Sequence, residues 1–176
     1  MGPREIVAMH ELKPLSKEAI PAALAKAERY RLLNESEMAE SICEDILSAD
    51  PENEPALVTL VLAVTDQFRA HGLGEHTARA RALVPRLSSE YERIYYSGII
   101  CERRARANLA RGGPGGEQIA YPWLADAMAL FEQAMAIRPP GNDDAVLRWN
   151  ACARTLDRHP EIAPRAERPP FGLESE

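Results

Sequence analysis

Between Ser16 and Leu156 apolar and small side chains recur at steps of three and four residues, and each run stops at proline, glycine or a short polar break. That spacing gathers them on one face of a helix, so the chain predicts a string of amphipathic helices joined by short turns. The first run, 16–33, places Ala19, Ile20, Ala23, Leu24, Ala27, Tyr30 and Leu33 together. Asn34 and Ser36 offer caps for a second run through Ala39, Cys43, Ile46 and Leu47, which must stop at Asp50-Pro51 because proline disfavours helix in the residue before it.

Asn53 offers the next cap, for a helix through Leu57, Leu60, Val61, Val64 and Phe68 that ends at His71-Gly72-Leu73-Gly74. A poorer helix over 75–87 turns Ala78, Ala82 and Leu83 inward and is broken near Pro85. Ser88 or Ser89 caps a long fifth helix through Tyr91, Ile94, Tyr95, Gly98, Cys101, Ala105 and Leu109. The segment 112–118 predicts a mobile loop, and no Lys-Ser or Lys-Thr follows to make it a phosphate cradle. A sixth helix over 121–137 and a seventh over 142–157, capped by Asn142, complete the set. The proline-rich tail from His159 predicts extended or disordered chain. The organisation expected is an extension at 1–15, a helical domain at 16–157 with a glycine-rich insertion at 112–120, and a tail at 158–176.

At 176 residues with 45% hydrophobic content, one continuous core is within reach. The 27 acidic and 21 basic residues leave a net charge of -6, which opposes non-specific attraction to nucleic acid or anionic membranes. The longest apolar stretch, 55–64, is too short to span a bilayer, and the N-terminus carries no signal-like segment, so the cytoplasm is the expected compartment. Cys43, Cys101 and Cys152 are odd in number and widely spaced, which predicts reduced, buried thiols. Hydrolase, metalloprotease and dinucleotide motifs are all missing, so neither catalysis nor a cofactor is expected. His71 and His76 flank Glu75 in an expected loop, but two histidines without a third ligand predict solvated side chains.

Two second helices repeat one pattern: Ala39, Cys43, Ile46, Leu47, Asp50 and Pro51, then Ala127, Phe131, Ala134, Met135, Ile137 and Pro139. With Ala27 and Tyr30, Leu57, Leu60 and Val61, and Ile94, Gly98 and Cys101 in the first helices, this resembles the tetratricopeptide repeat family, whose helix pairs recur about every 34 residues. The resemblance implies an all-α right-handed solenoid of stacked antiparallel helix pairs, about three repeats plus a terminal capping helix. An ordinary helical bundle is the competing architecture.

The resemblance further implies a non-enzymatic interaction module, an adaptor or assembly factor that binds a peptide in the concave groove lined by first helices. In that register Arg31, Arg103 and Arg154 share one face above an apolar floor of Tyr95 and Ile99, which suits an acidic or C-terminal peptide segment. The family's carboxylate clamp of Lys and Asn is not reproduced. The alternative function is a structural or self-associating subunit, a homo-oligomer included, with a permanent apolar interface.

Overall fold

The computed structural model describes residues 10–69, 72–112 and 116–164. Among them are seven α-helices: α1 (Ile20–Leu32), α2 (Ser36–Ala49), α3 (Glu54–Asp66), α4 (Leu73–Leu83), α5 (Glu90–Arg111), α6 (Gly116–Ile137) and α7 (Asp144–Arg158). Short 3-10 turns cover Lys17–Ala19, Gln67–Arg69, Val84–Arg86 and Pro160–Ile162, and no strand occurs among the described residues. No helix of the described residues is long and apolar enough to cross a membrane.

The caps follow local chemistry. Asn53 Oδ1 accepts from the Ala56 amide at 3.1 Å to start α3, and Ser89 Oγ accepts from Glu92 at 3.4 Å to start α5. Asn34 caps nothing: it takes a left-handed φ of 61°, which Asn tolerates, and so closes α1 rather than opening α2. Neither Glu35 nor Ser36 makes a side-chain cap for α2. Asn142 acts one position earlier than a cap, accepting from Asp144 at 3.0 Å while Asp143 occupies the cap position of α7.

Three boundaries depart from the sequence expectation. α4 begins at Leu73, so its buried stripe is Leu73, Thr77 and Ala80, while Ala78 and Ala82 are exposed. α6 begins at Gly116 and runs through Pro122, although proline forfeits one backbone hydrogen bond there. Its contact with α5, the most extensive between any two helices, offsets that loss and the entropy of ordering glycine. The expected loop at 112–118 is therefore helical from Gly116, and 113–115 lie outside the described residues. The tail is also more ordered than expected at its start: Ile162 is buried against the second core. Residues 165–176, the rest of the expected tail, and 1–9 lie outside the described residues.

Each helix packs mainly on its neighbours in the chain, and α3 also touches both α1 and α5. Two apolar clusters result. One gathers α1 to α4 around Ile46, Val61, Val64 and Phe68, and the other gathers α5 to α7 around Leu124, Phe131 and Cys152. Long α5 belongs to both, since Ile100 sits in the first cluster and Ile99 in the second. Small residues permit the closest approach: a Cβ on Gly98 would lie 2.6 Å from Phe131 Cε1. Ala39, Cys43, Ala127 and Phe131, expected at helix contacts, are all fully buried.

Candidate functional site

The odd-numbered helices converge on one pocket of about 380 Å3. Its wall receives Arg31 from α1, Asp66 from the end of α3, Arg69 from the following turn, Glu102, Arg103 and Arg106 from α5, and Arg148 from α7. Five guanidiniums face two carboxylates, a formal excess of three positive charges in a chain whose net charge is -6.

Local geometry explains each placement. Arg31 lies in the last turn of α1, where a cation complements the helix dipole. Its Nε donates to Asp66 Oδ2 at 2.8 Å. Arg103 Nη1 donates to the other oxygen, Asp66 Oδ1, at 2.5 Å, and also to Thr65 Oγ1 and the Leu62 carbonyl at 2.6 and 3.0 Å. Burial pushes the Arg103 guanidinium below its ordinary value, Asp66 opposes that shift, and Arg31 and Arg148 add to it.

Glu102 is fully buried. Arg106 Nη2 lies 2.8 Å from its Oε1 and Arg148 Nη1 lies 3.5 Å from its Oε2, yet neither contact is aligned as a hydrogen bond. The Tyr95 hydroxyl lies beside Arg148 and favours its charged form. Desolvation would lower its pKa, but Glu102 and that hydroxyl outweigh it and hold the guanidinium above the ordinary range. Two guanidiniums pair the Glu102 charge, but a buried carboxylate without aligned donors costs more than one whose hydrogen bonds are well formed.

Of the five residues expected to line the groove, the structure brings Arg31 and Arg103 together. Tyr95 does not line the pocket: its hydroxyl lies beside Arg148, and its ring is 5.7 Å from Tyr91, 5.1 Å from Tyr96 and 5.9 Å from Phe131. Ile99 is not a groove floor: it is buried in the second core, because α5 is covered by neighbours on several sides. Arg154 does not line the pocket, and Arg148 supplies the cation of α7 instead. The reason is periodicity: Arg148 lies three residues after buried Ala145 and four before buried Cys152, on the face turned to the protein, whereas Arg154 is exposed.

Asp66, Arg69, Arg106 and Arg148 were not anticipated. Arg106 had a legible signal, four residues after Glu102 on the same helix face. Of the pair considered for a metal, His71 lies outside the described residues and His76 is within α4 rather than in a loop. Among the described residues no group of three His, Cys, Asp or Glu side chains is placed to hold a metal ion. Compared with protein-family models, curated proteins and solved structures, the chain has no match.

Proposed function

We propose that this chain is a non-enzymatic protein interaction module of tetratricopeptide-like build, an adaptor or assembly factor that receives an acidic or C-terminal peptide segment between its odd-numbered helices. The observation that carries the reading is the convergence of five arginines from α1, α3's following turn, α5 and α7 on one pocket holding only two acids. Each guanidinium presents five donors in a fork, and Arg31 and Arg103 each commit a single nitrogen to Asp66, so donors remain for a ligand carboxylate. Partly desolvated walls strengthen such contacts relative to a fully exposed surface pair.

The test is capture of partners from native lysate by the wild type, by Arg103→Ala and by Tyr95→Phe, at low and high salt. The expected result is capture that weakens with salt, is lost in Arg103→Ala and is reduced in Tyr95→Phe, whose ring still packs but lacks the hydroxyl beside Arg148. Unchanged capture by both variants would place the interaction surface elsewhere.

A second reading, a structural or self-associating subunit, draws on Leu32 and Leu33, adjacent at the end of α1 and 85% and 59% exposed, with Met38 following in α2. A concentration-dependent sedimentation coefficient abolished by Leu32→Ser and Leu33→Ser would favour it.

A further inference from the structure

The geometry points to a phosphoryl group, carried on a side chain of the bound peptide, as the anion this pocket selects over a carboxylate. The inference rests on the peptide-binding reading above and specifies its ligand.

Charge is the first argument. Asp66 is shared between Arg31 and Arg103, and Glu102 between Arg106 and Arg148, so each pair keeps one uncompensated positive charge. Arg69 is exposed and has no ion-pair partner among the described residues, which adds a third. A carboxylate supplies one negative charge, whereas a phosphomonoester supplies about 1.5 to 2 near neutrality. The deeper anion leaves less unpaired cation in a partly desolvated site, where unpaired charge is most costly.

Direction is the second. The guanidiniums approach from α1, α5, α7 and the turn after α3, rather than as a single planar fork. A carboxylate has two coplanar oxygens, which one arginine satisfies; a phosphoryl group offers three acceptor oxygens pointing apart. Donors arriving from several sides match the second shape.

Glu102 is the third and independent argument. Fully buried, aimed at the pocket and without an aligned hydrogen bond, it does not stabilise the fold in the way a well-formed pair would. Its place between Arg106 and Arg148 holds both guanidiniums beside one carboxylate in the pocket wall. In this role Glu102 is a positioning residue. Leu32 at the edge, 85% exposed, offers apolar contact to the peptide around the phosphoryl group, which a free phosphate would not use.

The test follows the arginine Nε–Hε resonances of the full chain by NMR at fixed ionic strength, with three probes: N-acetyl-phosphoserine amide, N-acetyl-glutamate amide and inorganic phosphate. The phosphoserine probe is expected to shift the Arg31, Arg103 and Arg148 signals saturably and to bind about 10-fold more tightly than the glutamate probe. Arg69→Gln, on an exposed position that the fold does not need, should weaken it several-fold, and Arg154→Gln should leave it unchanged. Equal binding of the phosphoserine and glutamate probes would overturn the phosphoryl preference while sparing the carboxylate reading. Inorganic phosphate binding as tightly as phosphoserine would overturn the peptide as its carrier. Signals unmoved by all three probes would remove the pocket as an anion site and sink both readings.

Discussion

Arg31 and Arg103, from α1 and α5, hold opposite oxygens of one carboxylate, with Asp66 Oδ2 2.8 Å from the first and Asp66 Oδ1 2.5 Å from the second. Asp66 is thus the point at which three odd-numbered helices are tied, and it also sets how much positive charge the pocket shows. Replacing it by Asn keeps the shape and removes the charge. Asp66→Asn should lose about 1–2 kcal/mol of stability in urea melts, because two partly buried guanidiniums lose their counterion. The same variant should bind anions more tightly than the wild type, since the local excess rises by one; weaker binding would show that Asp66 orients the arginines more than it masks them.

Gly98 carries the α5–α6 contact. A methyl there meets Phe131, which is fully buried and has nowhere to turn. Gly98→Ala should therefore destabilise by about 1–3 kcal/mol through overpacking, reduced by the roughly 1 kcal/mol that alanine gains over glycine in a helix. Thermal melting of Gly98→Ala beside Gly98→Ala with Phe131→Leu separates the two effects, as the smaller partner should restore the loss.

The two side-chain caps differ in geometry, and their removal should differ in cost. Asn53→Ala breaks a 3.1 Å bond and should cost about 1 kcal/mol, whereas Ser89→Ala breaks a 3.4 Å one and should cost less. Denaturant midpoints measured side by side would decide the order.

Desolvation pushes the thiols of Cys43 and Cys152 from an ordinary value of 9.0 up to about 12. Neither should react with an aromatic disulfide reagent at pH 8 until the chain unfolds, since the thiolate is the nucleophile. An unfolded chain releases these protons near pH 9 while the native chain keeps them. Their contribution is therefore intact below pH 9 and lost as pH rises towards 12, and Cys43→Ala should flatten that alkaline decline.

The helices were legible because three-and-four spacing and proline stops are local properties. The pocket was legible only in part. Arg31 and Arg103, expected on one face, do line one pocket, but Ile99 was misjudged: periodicity marks a stripe as apolar without saying whether a neighbour already covers it. Arg154 gave way to Arg148 for a related reason. In α7 the apolar pattern admits more than one face, and only the packing of Ala145 and Cys152 decides which arginine turns inward. Asp66 and Arg69 sit where α3 passes into a 3-10 turn, a junction whose direction the sequence pattern does not encode.

Ile99 and Ile100 are consecutive in the chain yet serve different clusters, and α5 repeats this division with Ala107 on one side and Ala105 on the other. In a linear array of helix pairs the ends can fray while the middle persists. Here an opening of either half would strip one flank of the helix that the other half needs, so the cost of partial unfolding approaches that of global unfolding. Amides in α3, α5 and α6 should consequently exchange with solvent at one common rate set by whole-chain unfolding, and a chain severed in the α4–α5 connection should lose order on both sides of the cut.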